Sequence, residues 1–294
     1  MDGVAKNIRW SRFLDRRSGR GIIVPIDHGL SIGPLEGLDS VEQVARWIGH
    51  PAITGVIAHK GMVERLGSQG LLRGLGVMIH INGMTSLAPQ PDRKERLTSV
   101  EAALRLGADA VSLQLNFDGT NDAHNLTQLG AVVDEAQQCG LPVLTMLYDK
   151  VQCEGDEPPL RRHRHLIRAC VELGTDALKL AAPSHPSHVS VLLEGIKDHT
   201  AVFFAGGAVR SEEEMVSMAR EMVARGATGL CVGRNIFQRE SASGMLTLLQ
   251  EAVQEAVLEG AGGVPGSSGT PSSRAAVTSR ADERWSHPSD EAVK

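Results

Sequence analysis

The sequence predicts an α/β chain folded as a (β/α)₈ TIM barrel, with a short N-terminal helix and a disordered C-terminal tail. Three observations carry this. Short apolar runs alternate with amphipathic helical stretches along most of the chain, as a parallel sheet covered by helices requires. A helix–glycine–strand joint recurs at Leu106-Gly107-Ala108-Asp109-Ala110, Leu173-Gly174-Thr175-Asp176-Ala177 and Arg225-Gly226-Ala227-Thr228-Gly229, the mark of repeated βα modules. The length of 294 residues, with 41% hydrophobic residues, suits one barrel. With aromatics at only 3%, aliphatic residues, Ala and Gly must build the core. An open parallel sheet is the alternative architecture.

The elements follow in order. Trp10 to Arg17 reads as a short helix able to plug the N-terminal end of the barrel. Eight strands are expected at 21–26, 55–58, 76–81, 110–115, 142–147, 177–180, 201–205 and 228–232. The clearest helical patterns are Ser40 to Ile48, Ser99 to Leu106, Asn125 to Cys139, Leu160 to Leu173 and Glu212 to Ala224. Residues 1–259 form the expected barrel domain. From Gly260 the chain turns rich in Gly, Ser and Pro, and residues 260–294 are expected to be disordered.

Composition excludes several function classes. The net charge of -5 offers no field for nucleic acid. The basic cluster Arg161, Arg162, His163, Arg164 and His165 reads as the wet face of a helix. No stretch approaches the roughly 18 apolar residues of a membrane span, and Met1 to Arg12 lacks the apolar run of a signal peptide. Cys139, Cys153, Cys170 and Cys231 have no ligand spacing, Cys231 reads as a small core residue, and a reducing cytoplasm is expected.

Barrel chemistry sits at the C-terminal ends of strands. Lys179, among seven lysines in the chain, lies inside the apolar run Ala177 to Ala182. Facing the interior, its ammonium is desolvated, which lowers its pKa and frees a nucleophilic amine. Facing outward, it snorkels between helices. Asp27 and His28 end strand one, where the carboxylate either handles a proton or caps a turn. Tyr148, the only tyrosine, follows strand five as a proton donor or as a rim aromatic. His59 and Lys60 end strand two, and Asn82 ends strand three. Gly206 and Gly207 after strand seven, with Gly233 and Arg234 after strand eight, offer backbone N–H groups and a charged fork, the usual phosphate position in a barrel. No metal-binding spacing stands out: His163 and His165 diverge around a helix, and His185 and His188 lie in a Pro- and Ser-rich loop.

From Trp10 to Gln238 the chain resembles the Schiff-base aldolases of the archaeal-type fructose-bisphosphate aldolase superfamily, nearest to its 2-amino-3,7-dideoxy-D-threo-hept-6-ulosonate synthases. The motifs are Pro25-Ile26-Asp27-His28-Gly29, Leu106 to Ser112, Ala205-Gly206-Gly207 and Val232-Gly233-Arg234-Asn235-Ile236-Phe237-Gln238. The resemblance implies that Lys179 forms the Schiff base, Tyr148 is the general acid and Asp27 an acid–base group. It implies phosphate binding by Gly206, Gly207, Gly233 and Arg234. The substrates would be a small phosphorylated ketone, dihydroxyacetone phosphate or a related ketose phosphate, and aspartate semialdehyde as the aldehyde, with no cofactor or metal, in a homo-oligomer. His28, His59, Lys60, Asn82, Lys150 and His185 are candidate substrate contacts. Two departures bear on the partner substrate. Asp149-Lys150-Val151 follows the tyrosine where the family has Pro-Arg-Gly, and Leu180 to His185 replaces a short Thr- or Tyr-containing loop. Fructose-bisphosphate cleavage, a non-covalent phosphosugar isomerase or lyase, and a silent barrel kept for assembly are the alternatives.

Overall fold

A computed structural model of the protein describes residues 3–151 and 157–262. Cys153 and the chain beyond Gly262 lie outside the described residues. All eight expected apolar runs are strands: β1 (Gly21–Pro25), β2 (Gly55–Ala58), β3 (Gly76–His80), β4 (Ala110–Phe117), β5 (Val143–Asp149), β6 (Ala177–Ala181), β7 (Ala201–Ala205) and β8 (Gly229–Cys231). They close into a parallel barrel in chain order, with β1 paired to β8, which rules out the open sheet. Helices Val41–Ala45, Lys60–Ser68, Val100–Arg105, Asp122–Gln138, Glu157–Glu172, His188–Leu193 and Glu212–Ala224 lie between strands, and Ala242–Gly262 ends the described chain. Their starts follow local chemistry. Ser40 and Ser99 accept the Gln43 and Ala102 amides, and Ser211 with Glu214 forms a reciprocal capping box. No helix of the described residues is long and apolar enough to cross a membrane.

Period-two alternation divides the strands between two cores. Outward side chains such as Val24, Val56, Ile79, Val111 and Phe204 pack against the helices. Inward ones form a second cluster of Ile23, Ile57, Met78, Ala110, Leu144, Met146, Ala177, Phe203 and Cys231. Trp10 and Phe13 close the N-terminal end of that cluster, with Trp10 edge-on to Phe203 at 6.0 Å. A Cβ at Gly55 or Gly76 would lie 2.5 or 2.7 Å from the Phe13 ring, so only glycine admits the plug. The plug is built differently from the expected 10–17 helix. The helix runs Val4–Trp10, with one 3₁₀ turn at Ser11–Phe13. Asp15 ends it, because its carboxylate accepts the Arg17 and Ser18 amides and folds the chain into a turn.

The N-terminal face has a repeating seam. Thr54, Asp109, Asp176 and Thr228, each just before or near the start of an even-numbered strand, accept the amides of Ile22, Val77, Val143 and Val202 at the starts of the odd-numbered ones. The two aspartates also hold the N-terminal helical segment. Asp176 takes the buried Lys6 ammonium at 2.7 and 3.0 Å, and Asp109 pairs with Arg12. The aspartates of the recurring joint are therefore structural.

Candidate active site

Two residues beyond the inward apolar layer, the same strands become polar. Asp27 stands two positions past Pro25, His59 two past Ile57, His80 two past Met78, Ser112 two past Ala110, Tyr148 two past Met146 and Lys179 two past Ala177. All therefore point into the C-terminal half of the barrel. The β5–β6 register sets Met146 opposite Lys179, so Tyr148 stands one layer above the lysine.

Lys179 is 6% exposed, with Nζ 3.7 Å from the Met146 sulfur. It is an interior lysine, not an outward one. Its ionisation runs against the sequence expectation. Burial lowers the ammonium's pKa, but Cys231, Tyr148 and Asp27 outweigh it, and the net shift is upward. Cys231 is itself pushed up to about 11 by burial, so at neutral pH it is an uncharged thiol. The Asp27 carboxylate then remains as the full negative charge that favours the ammonium of Lys179, with the Tyr148 oxygen acting in the same direction.

Asp27 is the N-cap residue of the short helix His28–Ile32, yet its side chain makes no capping bond. The carboxylate lies 3.6 Å from His28 Nδ1 and 3.8 Å from His80 Nε2. Burial raises its pKa, and the neighbouring imidazoles and Lys179 more than reverse this, holding it at about 2. Burial drives His80 the other way, down to about 3, against the pull of Asp27. At neutral pH Asp27 is thus a carboxylate beside a neutral imidazole. Ser112 lies 2.9 Å from His80 Nδ1; a hydroxyl proton given to that nitrogen leaves Nε2–H facing Asp27. His59 packs edge-on to His80 at 5.2 Å and is held by the His80 carbonyl.

The glycine sites meet at the ends of β7 and β8. Gly207 has φ 72, a left-handed turn, and a Cβ on Gly233 would come within 3.0 Å of both His28 and the Pro25 carbonyl. Asn235 ties the two loops together: its Nδ2 donates to the Gly206 and Ala208 carbonyls and its Oδ1 accepts the Arg210 amide. Arg234 is exposed at the first turn of Arg234–Phe237; burial depresses His28, and the charges of Lys179 and Arg234 add to this against the pull of Asp27. His28 rests edge-on against Phe237 at 5.4 Å, between this corner and Asp27.

The remaining candidates are placed less centrally. The Asn82 amide braces the scaffold, exchanging hydrogen bonds with the Gln114 backbone and bonding Gln128. Lys60 is exposed at the start of its helix. Lys150 is exposed and pairs with Asp92 at 3.3 Å, while Asp149 is gripped by Arg162. His185 is exposed and lies edge-on to His188 at 5.3 Å. Sequence reasoning passed over His80, Ser112, Asn235 and Lys94. The last sits beside an antiparallel pair, Asn82–Gly83 with Glu95–Arg96, too short to leave a pattern.

Known proteins resemble this chain in sequence and in fold. The family model for DeoC/LacD aldolases matches residues 21–239. The 2-amino-3,7-dideoxy-D-threo-hept-6-ulosonate synthase 1 of Archaeoglobus fulgidus is 32% identical over 239 residues, 81% of this chain and 86% of its own. The 2-amino-4,5-dihydroxy-6-oxo-7-(phosphonooxy)heptanoate synthase of Streptomyces griseus is 26% identical over 263 residues, 89% and 94% of the two chains. An archaeal fructose-1,6-bisphosphate aldolase, solved with its catalytic lysine covalently bound to the carbinolamine intermediate, superposes with a TM-score of 0.70 at 25% identity, covering 84% of this chain and 99% of its own. With three quarters of its length matched by the family model, the chain belongs to the DeoC/LacD family of aldolases.

Proposed function

We propose that the protein is a Schiff-base aldolase that joins dihydroxyacetone phosphate, or a related ketose phosphate, to aspartate semialdehyde. The observation that carries the chemistry is one buried lysine flanked by Tyr148 and an ionised Asp27. A protonated Lys179 fits it. An ammonium and a ketone give an iminium and water with no net gain or loss of a proton. The two protons leaving nitrogen depart with the carbonyl oxygen, and Tyr148 and Asp27 are placed to pass them on. The iminium then acidifies the neighbouring C–H bond. Loss of that proton gives an enamine, whose carbon attacks the aldehyde, and hydrolysis returns the amine. Gly206, Gly207, Gly233 and Arg234 would hold the donor phosphate. The first amides of a helix lack internal acceptors, and the Asn235 clamp fixes both loops for one anion.

The relatives' products support this substrate pair. A seven-carbon acid with an oxo group at C6 and hydroxyls at C4 and C5 disconnects, as an aldol, between C4 and C5. One half is dihydroxyacetone phosphate and the other aspartate semialdehyde. The dideoxy ulosonate disconnects at the same bond and shares the amino-acid half, differing at C7. Fructose-bisphosphate cleavage is the second reading, favoured by the superposition on an archaeal aldolase of that activity.

The test is direct. Purified protein is given dihydroxyacetone phosphate with aspartate semialdehyde, and separately fructose 1,6-bisphosphate, with product mass followed in each. The expected result is a seven-carbon amino-keto acid phosphate formed at the higher kcat/KM. Faster cleavage of the bisphosphate, or condensation with glyceraldehyde 3-phosphate but never with aspartate semialdehyde, would replace this reading with the second.

A further inference from the structure

Two lysines of this molecule are 7% exposed, Lys6 and Lys94. Lys6 meets a carboxylate with two short bonds, as a buried ammonium requires. Lys94 does not. Its single hydrogen bond among the described residues runs 3.5 Å to the Met84 carbonyl. The carboxylate whose charge acts on it most, Asp92, is shared by Lys150 at 3.3 Å and Asn116 at 3.1 Å, and the adjacent Glu95 pairs with Arg93 at 2.8 Å. Asp27, whose charge Lys94 also feels, faces Lys179. A three-donor cation is thus held in a desolvated place with most of its donors unmet.

The position is built. The Lys94 carbonyl is pinned by His124 at 3.0 Å and Gln128 at 3.2 Å, both on the helix Asp122–Gln138. Gln128 in turn holds Asn82, which braces β3 to β4. The Lys94 charge reaches both Asp27 and His80, so it bears on the same chamber as Lys179. It comes from the segment between β3 and β4, whereas the glycine corner comes from β7 and β8. In the barrel order those strands lie on opposite sides. A donor whose phosphate is held at the glycine corner leaves the Lys94 side to the acceptor.

We propose that Lys94 anchors the carboxylate of the acceptor aldehyde, an inference that rests on the reading of a carboxylated acceptor. This role explains why an unpaired ammonium is tolerated, since its counter-charge arrives with the substrate.

The test compares Lys94→Met and Lys94→Arg with the wild type on three aldehydes, with dihydroxyacetone phosphate as donor. They are aspartate semialdehyde, glyceraldehyde 3-phosphate and uncharged glyceraldehyde. The ratio of kcat/KM for aspartate semialdehyde over glyceraldehyde should fall at least about tenfold in Lys94→Met, with part retained by Lys94→Arg. Because Lys94 forms no ion pair among the described residues and has only one long hydrogen bond, Lys94→Met should melt no lower than wild type. Equal losses on charged and uncharged aldehydes, or a fall in Tm like that of a broken ion pair, would overturn the proposal. A larger loss on glyceraldehyde 3-phosphate would reassign the anchor to a phosphate and also overturn it. Wild-type data separate the two readings: if the wild type condenses with no carboxylated aldehyde, the substrate reading itself has failed.

Discussion

The N-terminal plug of this barrel and the chamber around Lys179 treat buried charge in opposite ways. At the N-terminal face, Asp176 meets Lys6, Asp109 meets Arg12, and each aspartate also takes a strand amide. At the C-terminal face, Asp27 stands 3.6 and 3.8 Å from its imidazoles, Lys179 has sulfur at 3.7 Å, and Lys94 has one carbonyl at 3.5 Å. Close pairing holds a fold together. Long, incomplete pairing leaves groups free to change partner or protonation, at a cost in stability that the rest of the fold offsets. In this barrel, stability and chemistry occupy different ends.

Swapping the damage between ends sharpens the contrast most. Tyr148→Phe should lower kcat by about 10²–10⁴-fold, the range for a lost proton-transfer group, and leave Tm near that of wild type. Asp176→Ala should do the reverse, costing about 3–5 kcal/mol because Lys6 is left buried and unpaired, while the molecules that remain folded keep their kcat. Denaturant titration and steady-state kinetics on both variants check this. Full activity in Tyr148→Phe would reduce the tyrosine to packing at the rim.

A smaller effect separates the ends by pH. His80 titrates at about 3 in the fold, below its ordinary 6.5, because burial penalises its charge. As pH falls below the unfolded value, the unfolded chain takes up a proton that the folded chain refuses. This contribution is therefore complete above roughly pH 6.5 and is lost as pH falls toward 3, at about 1.4 kcal/mol per pH unit for one proton. Asp27, held at about 2, adds a further loss as pH drops below about 4. Unfolding free energies between pH 7 and 4 should slope less steeply in His80→Asn than in wild type. An unchanged slope would mean that His80 does not stay neutral inside the fold.

Much of this was legible in the sequence. The eight strands announce themselves as apolar runs, and Lys179, Tyr148 and Asp27 stand out as polar residues within or just after them. His80 did not stand out, because a strand buried on both faces hides its period of two, and the inward face is known only once the register is known. Lys179's ionisation was misread for a related reason. Its sequence neighbours are apolar, while the groups that raise its pKa come from β1, β5 and β8. Asn82 was read as a substrate contact, but the neighbours that occupy its amide, Gln114 and Gln128, lie far along the chain. The sequence reports residues that break a local pattern. It does not report which distant partners meet them.

The account turns on Lys179 as a covalent nucleophile, and one measurement bears on that most directly. The protein is incubated with dihydroxyacetone phosphate and borohydride, and the product is read by intact mass and peptide mapping. The account predicts a single reduced adduct on Lys179, absent from Lys179→Met and absent when the ketone phosphate is omitted. No adduct under turnover conditions, or an adduct on Lys94 or another lysine in place of Lys179, would contradict it.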